Sequence, residues 1–174
     1  MSTSYTEADY EKSVMELFEG LGYTRLYGPE VERDIRSPLY DAVLTEQIRR
    51  LNPSLPDEAL VDAIDQLRNI ESGELVQRNK VFMDDLQNGI SARYFADGEE
   101  RSALVYLVDY QNPATNSFIV ANQWTVVENS EKRPDILLFL NGIPIVVIEL
   151  KSPAREETDA SEAYLQLRNY MQEI

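Results

Sequence analysis

Two short apolar runs joined by Asn-Gly constrain the fold of this chain more than any other feature. The runs are DILLFL at 135–140 and IPIVVIELK at 143–151, and both are rich in the β-branched and aromatic residues that favour strands. Asn141-Gly142 between them is the dipeptide most typical of a tight β-hairpin turn. We therefore expect a largely buried antiparallel hairpin here, and a sheet around it.

Three ionisable side chains interrupt this apolar hairpin: Asp135, Glu149 and Lys151. Side chains alternate along a strand, so Glu149 and Lys151 share one face. A strict two-residue turn pairs residues whose numbers sum to 283, which turns Asp135 away from Glu149. A longer loop or one β-bulge changes the sum to 284 and places the two carboxylates opposite each other. Because Pro144 has no N–H for a regular ladder, we expect such a loop or bulge.

Two carboxylates so close repel each other unless a cation lies between them. The sequence contains neither Cys nor His, which excludes disulfides, thiolate or imidazole metal sites and Ser-His-Asp catalysis. An all-oxygen site favours Mg²⁺, with Mn²⁺ as an alternative. Metal held by Asp135 and Glu149, with Lys151 beside it, suits hydrolysis of a phosphodiester. An isolated Glu-x-Lys is more often a solvated strand face with a weak ion pair, so the hypothesis depends on the hairpin around it.

The length and composition are those of one ordinary domain. The chain has 174 residues, 43% of them hydrophobic, which is enough for a core. We find no basic-plus-apolar signal segment and no apolar run near the roughly 18 residues of a membrane span. The absence of cysteine suits a cytoplasmic location. The net charge of −15 argues against tight, autonomous binding of nucleic acid.

The order of the patterns predicts an α/β (α+β) fold with a central mixed, mainly antiparallel sheet flanked by helices. Within one domain over 1–174, residues 1–90 are expected to be mainly helical, 91–151 to form the sheet, and 157–174 to form a closing helix. Helix starts are expected at Thr6, at Ser37 before Pro38, and at Ser54. A first strand is expected in YTRLYG, and further strands at 103–110 and 117–127.

RPDILLFLNGIPIVVIELKSP resembles the PD-(D/E)xK nuclease motif in the N-terminal domain of the restriction (R) subunit of type I restriction enzymes. Other blocks resemble that domain in the same order, so the resemblance covers nearly the whole chain: EKSVMELFEGLGY, VQRNKVFMDDLQNGI, YLVDYQNPATNSFIVANQW and QLRNY. The resemblance implies a restriction-endonuclease-like core. It makes Asp135, Glu149 and Lys151 the catalytic residues, with the metal on the two carboxylates.

The same resemblance implies three supporting residues. Gln166 and Tyr170 match a Q-x-x-x-Y element and lie at i and i+4, on one helix face; the alternative is a polar face with one packed Tyr. Glu11 corresponds to a glutamate on the first helix, with Glu7 as the other candidate. A glutamate near a helix N-terminus also has a purely electrostatic explanation.

The resemblance further implies a metal-dependent endonuclease domain that cuts double-stranded DNA inside a type I restriction-modification complex. Methylation and specificity subunits would be its partners, and the chain would be the N-terminal part of a longer one. ATP-driven translocation would belong to later domains, because this sequence has no G-x-x-x-x-G-K-[ST] phosphate loop. Two alternatives are a non-catalytic docking module with the same fold and a two-carboxylate glycosidase. Lys151 and the single tryptophan, Trp124, disfavour the glycosidase.

Overall fold

The computed structural model describes residues 6–70, 73–127, 130–151 and 160–173. The helices in these ranges are α1 (Glu7–Gly20), α2 (Asp41–Leu51), α3 (Asp57–Arg68), α4 (Leu75–Asn88) and α5 (Ala160–Glu173). The strands are β1 (Thr24–Tyr27), β2 (Ile90–Ala96), β3 (Glu99–Val105), β4 (Phe118–Asn122), β5 (Val126–Val127), β6 (Glu131–Lys132), β7 (Ile136–Leu140) and β8 (Ile143–Ile148). Two single-turn 3₁₀ helices cover Gly28–Glu30 and Pro113–Thr115.

The described chain forms two compact units. The first consists of residues up to Asp41 together with those from Phe118 onward, and the second of Ala42–Ser117. The single domain expected over 1–174 stays a prediction. Contacts between residues group the chain into these two units. The closing helix expected over 157–174 is α5, and the part of that range at 157–159 lies outside the described residues.

The first unit is built on a four-stranded sheet in the order β1-β4-β7-β8. The pair β1/β4 is parallel, and β4/β7 and β7/β8 are antiparallel. The prediction of a mixed, mainly antiparallel sheet is confirmed, as is the strand expected in YTRLYG. Within the described residues β8 is an edge strand, so the hairpin has no neighbouring strand on that side.

Helix α1 packs on one face of this sheet. Thr6 is its N-cap as predicted, in a capping box in which the Asp9 carboxylate accepts from the Thr6 N–H at 2.8 Å. Met15 on the apolar face of α1 is fully buried. The cluster around it comprises Val14, Phe18, Tyr23, Val120, Ile136, Leu138, Ile148 and Leu150. Burying this stripe fixes the face of the hairpin that points to the core, and the opposite face is left for Glu149 and Lys151.

A second aromatic cluster surrounds Trp124, whose side chain is completely buried. Its ring centroid lies 4.8 Å from that of Phe139 and 5.5 Å from that of Tyr40. The Arg33 guanidinium stacks 3.8 Å above the same ring and donates to the carbonyl of Thr125. Burial lowers the pKa of Arg33. This cluster fixes the segment that follows β4 and precedes the catalytic candidates.

The second unit contains a β2–β3 hairpin that packs on α3. Asp97 and Gly98 form its turn, both with positive φ. The Asp62 carboxylate accepts from the Arg93 N–H at 2.9 Å, and Glu58 accepts from Phe95 N–H at 3.1 Å. The strand predicted at 103–110 is wrong in extent, because β3 ends at 105. β2 was not predicted, since its alternating polar positions carry a weaker apolar signal.

Two predicted helix starts are wrong. α2 begins at Asp41, not at Ser37-Pro38, because the Ser37 hydroxyl accepts from the Leu39 N–H at 3.2 Å and so closes a local turn. α3 begins at Asp57 after Pro56, which holds an extended backbone with ψ of 151°, so Ser54 is not its cap.

The strand predicted over 117–127 is also interrupted. β4 ends at Asn122, and Gln123 takes a left-handed backbone with φ of 55°. None of the described helices is both long enough and apolar enough to span a bilayer.

Candidate active site

The hairpin β7–β8 contains the predicted β-bulge. Next to the turn, Leu140 pairs with Ile143 and Phe139 with Pro144; beyond a register shift the pairs are Leu138–Val146, Leu137–Val147 and Ile136–Ile148. Ile145 is therefore the extra residue on the bulged strand. Continued by one step, this register places Asp135 across from Glu149. The turn itself is the two-residue Asn141-Gly142 turn, with both φ values positive. The bulge alone therefore brings Asp135 to the face that carries Glu149.

Asp135 and Glu149 lie together at the end of the hairpin. An Asp135 oxygen, Oδ2, accepts from the backbone N–H of Leu150 at 2.7 Å, which holds its carboxyl group against the strand end. Burial raises the pKa of Glu149 to about 7, and the nearby Asp135 carboxylate adds to that increase. Both Glu149 carboxylate oxygens are buried and have no hydrogen-bond partner of good geometry among the described residues. A buried, unsatisfied carboxylate next to a second one is the situation that a cation relieves.

Lys151, Gln166 and Tyr170 form a chain of hydrogen bonds from β8 to α5. The Lys151 ammonium donates to Gln166 Oε1 at 2.7 Å. Because an ammonium only donates, the amide is oriented with its nitrogen outward, and Gln166 Nε2 donates to the Tyr170 hydroxyl oxygen at 2.9 Å. The Tyr170 proton is then left for another acceptor.

The acceptor that the Tyr170 hydroxyl faces is Glu149. Hydrogen bonding to Tyr170 lowers the pKa of Glu149, as does the charge of Lys151, although burial outweighs both. Burial is likewise the main reason that the pKa of Tyr170 rises to about 12. The helix residues therefore connect the lysine to one of the two carboxylates, and Tyr170 stays protonated at neutral pH.

Glu11 does not join the two carboxylates directly. Its oxygens accept from Asn122 Nδ2 at 2.6 Å and from Gln123 Nε2 at 3.1 Å. The backbone N–H of Gln123 in turn donates to the carbonyl of Asp135 at 3.2 Å. Glu11 thus supports the backbone beside Asp135 through the end of β4. Glu7, the other candidate, is exposed in the first turn of α1.

Asn122 and Gln123 were missed by the sequence analysis. They lie 111 and 112 residues from Glu11, so no local pattern links them. Gly28 packs so closely on this segment that a Cβ built on it would lie 2.5 Å from the Gln123 carbonyl oxygen. The left-handed conformation of Gln123 is the local signal of a functional or structural constraint at this point.

The residues present fit a hard divalent cation held by two carboxylates. No group of three or more acidic side chains within metal-binding reach occurs among the described residues. Mg²⁺ commonly uses one or two protein carboxylates and retains several waters, so Asp135 and Glu149 suffice for such a site. The two buried Glu149 oxygens, which lack a hydrogen bond of good geometry with the described residues, are the observation that favours it.

Residues 4–174 match the family model described as Type I restriction enzyme R protein N terminus. The match covers both compact units and every residue of the site described above.

Curated relatives agree with this match. The chain is 32% identical to the Type I restriction enzyme HindI endonuclease subunit of Haemophilus influenzae, over 97% of this chain. It is 33% identical over 94% of its length to the Putative type I restriction enzyme MjaIXP endonuclease subunit of Methanocaldococcus jannaschii. It is 27% identical over 95% of its length to the Type I restriction enzyme SauMSSORF170P endonuclease subunit of Staphylococcus aureus. The chain spans only 17%, 17% and 16% of these relatives' own lengths.

Proposed function

This chain belongs to the family of type I restriction enzyme R protein N termini, and we propose that it is the part of such an enzyme that cleaves DNA. The proposed reaction is metal-dependent hydrolysis of phosphodiester bonds in double-stranded DNA. The observation that carries the proposal is the arrangement of Asp135, Glu149 and Lys151 on one face at the end of an edge hairpin.

Asp135 and Glu149 would hold the metal, which we propose is Mg²⁺, with Mn²⁺ able to replace it. The cation would polarise the phosphodiester and lower the pKa of an attacking water. Asp135 is kept in place by the Leu150 N–H. Glu149 is the residue whose ionisation the site controls, because burial makes its charged form unfavourable until a cation offsets it.

Lys151 would offset the negative charge that develops on the phosphate. Its ammonium is held at 2.7 Å by Gln166 Oε1, so it does not need to reorganise during the reaction. Gln166 and Tyr170 are positioning residues in this scheme: the first orients the lysine, and the second orients Glu149. Glu11 positions the backbone of Asp135 through Gln123.

The net charge of −15 fits a nuclease domain that receives DNA from other parts of a complex. We propose that the methylation and specificity subunits, together with an ATP-driven motor encoded elsewhere in the longer relatives, deliver the duplex. Phosphate repulsion would then keep the unaided domain from cutting DNA indiscriminately. Rapid plasmid cleavage by this chain alone, with Mg²⁺ at physiological salt, would contradict this part of the proposal.

The central experiment replaces Lys151 with alanine in the complete restriction complex. We expect DNA cleavage to fall by about 10²–10³-fold, the usual effect of losing one group that stabilises developing charge. ATP hydrolysis should persist, because no residue of the site contributes to it. The control is Lys12→Ala, which removes a lysine with 70% side-chain exposure on α1 and should leave both activities intact.

Unchanged restriction by the Lys151→Ala complex would favour the alternative function, a docking module that keeps the nuclease fold. Metal binding separates the two functions independently. Calorimetry with Mn²⁺ should show binding by the unaltered chain and its loss in Asp135→Asn. The matched control is Asp97→Asn, in the exposed turn of the β2–β3 hairpin, which should bind as the unaltered chain does. Equal binding by all three proteins would show that the metal assignment is wrong.

A further inference from the structure

A pocket adjoins the candidate active site on the side of α5. Its volume is about 380 Å³. The residues that line it are Glu131, Lys132, Arg133, Gln166, Asn169 and Tyr170. All of them belong to the first compact unit. The metal and catalytic assignments above use Gln166 and Tyr170 but leave the other four residues unexplained.

The pocket concentrates positive charge in a chain with 16 basic and 31 acidic residues. Lys132 and Arg133 are adjacent cations, and among the described residues of the lining only the exposed Glu131 carries an opposing carboxylate. The Lys132 ammonium lies 6.0 Å from the centroid of the Tyr170 ring, within the range of a cation–π contact. Arg133 is exposed and makes no hydrogen bond or ion pair with the described residues. Its five N–H donors are therefore available to an anion.

The pocket is connected to the catalytic candidates by shared side chains. Gln166 contacts the Lys151 ammonium at 2.7 Å, and Tyr170 lowers the pKa of Glu149 through its hydroxyl. Arg133 precedes Asp135 by two residues, so their Cα atoms are at most roughly 7 Å apart. An anion bound by Arg133 would therefore lie next to the phosphodiester at the metal site.

We propose that this pocket binds a backbone phosphate of the DNA strand next to the phosphodiester that is cleaved. Arg133 and Lys132 would be the phosphate ligands, and the Asn169 amide a further hydrogen-bond donor. The inference rests on the proposed nuclease function, and it adds the residues that place the substrate strand. Arginine, lysine and amide donors around one concavity are the groups that contact phosphate oxygens in protein–DNA complexes.

The test is the salt dependence of DNA binding by this chain, measured by fluorescence anisotropy with a 20-base-pair duplex and Ca²⁺ replacing Mg²⁺. Each phosphate contact contributes about −0.9 to the slope of log affinity against log salt. Arg133→Gln should weaken binding at low salt and reduce the magnitude of the slope by about one. The ratio of the unaltered chain's DNA affinity to that of Arg133→Gln should therefore fall about 3-fold between 50 and 200 mM KCl. Arg133→Lys should retain most of the slope.

The control substitution is Lys12→Gln, which removes an exposed cation from α1 and should leave affinity and slope unchanged. If Arg133→Gln binds with the same slope as the unaltered chain, the pocket does not bind phosphate. That result would leave the proposed cleavage site at Asp135, Glu149 and Lys151 unaffected. The acidic chain should bind the duplex weakly, so the titration extends to high protein concentration; no duplex binding even there would overturn the inference in the same way. Displacement of the duplex by polyglutamate as readily as by single-stranded DNA of equal charge would instead indicate an acidic peptide site.

The proposed nuclease function is tested separately by Lys151→Ala, which should lower cleavage by about 10²–10³-fold, whereas the pocket is tested by the effect of Arg133→Gln on the salt slope. If Lys151→Ala leaves cleavage intact while Arg133→Gln still reduces the slope, the proposed catalytic role of Lys151 fails and the phosphate pocket remains. The two substitutions therefore report on different residues through different measurements.

Discussion

Asp135 lies across from Glu149 because Ile145 forms a β-bulge in β8. The ladder pairs Ile136 with Ile148, and one further step along both strands joins the two acidic residues. Without the extra residue, the tight turn at 141–142 would turn Asp135 to the opposite face. The proximity of the two carboxylates therefore depends on a local irregularity three residues after the turn, not on the acidic residues themselves.

The register can be tested by cross-linking, since the chain has no cysteine. Leu137 and Val147 are opposite partners, and Cβ atoms of such pairs lie about 4.5–5.5 Å apart. The double variant Leu137→Cys/Val147→Cys should therefore form a disulfide on mild oxidation. Electrophoresis without reductant and peptide mass mapping would detect it. The control is Leu137→Cys/Val146→Cys, whose side chains point to opposite faces; efficient cross-linking there would contradict the bulge.

The pH dependence of stability should reveal Glu149 in the metal-free protein. Its pKa is about 7 in the folded chain, against an ordinary value of 4.5, so the folded state holds its proton more tightly than the unfolded state does. The associated stability is fully present below about pH 4.5 and is lost as pH rises through about 7. The difference in unfolding free energy between the unaltered chain and Glu149→Gln should follow this fall, measured in urea with EDTA.

Divalent metal should reverse that loss. Mg²⁺ at millimolar concentration should stabilise the unaltered chain above pH 7, because it binds the ionised carboxylate in the folded state only. Glu16→Gln, at a position with 57% side-chain exposure on α1, should keep the pH dependence of the unaltered chain. The same pH dependence in Glu149→Gln as in the unaltered chain would show that another group is responsible.

Local sequence patterns sufficed for the parts of the fold that depend on local chemistry. Thr6 caps α1 because its hydroxyl and the Asp9 carboxylate satisfy the free N–H groups at the helix start. The bulge followed from parity and from the missing N–H of Pro144. The β2–β3 hairpin was missed although Asp97-Gly98 is itself a hairpin signal, because its strands alternate with exposed polar residues.

The rest of the site depends on contacts between distant parts of the chain. The amide partners of Glu11 lie more than 100 residues away in the sequence. No local pattern around Asn122 predicts this contact. The link from Lys151 to Gln166 crosses 15 residues and depends on where α5 packs. The sequence motifs identified the candidate residues of the site, whereas tertiary packing determines which of them are in contact.

Removing the Tyr170 hydroxyl should make Glu149 harder to ionise. The hydroxyl lowers the pKa of Glu149, so Tyr170→Phe should raise it above about 7. Because the metal requires the ionised carboxylate, the midpoint of the pH dependence of Mn²⁺ binding should move to higher pH. Calorimetry across pH 6 to 9 measures this shift. Tyr164→Phe, at an exposed position of the same helix, should not move the midpoint. An unmoved midpoint in Tyr170→Phe would contradict the hydrogen bond from Tyr170 to Glu149.

Gly28 should be intolerant of even one added methyl group. A Cβ there would lie 2.5 Å from the Gln123 carbonyl oxygen and 2.9 Å from that of Asn122, so the backbone that supports Glu11 and Asp135 must shift. Gly28→Ala should lower the free energy of unfolding by about 1–3 kcal/mol, the usual effect of overpacking. It should also weaken Mn²⁺ binding, because the Gln123 N–H fixes the Asp135 carbonyl.

The matched substitution is Gly20→Ala in the last turn of α1. Nothing lies within 4 Å of a Cβ at that position, and alanine favours a helix over glycine by about 1 kcal/mol. Gly20→Ala should therefore leave metal binding unchanged and raise stability slightly. Urea unfolding and Mn²⁺ calorimetry on both variants separate the two effects. If Gly28→Ala lost stability but kept full metal affinity, the segment at Asn122–Gln123 would support the fold and not the site.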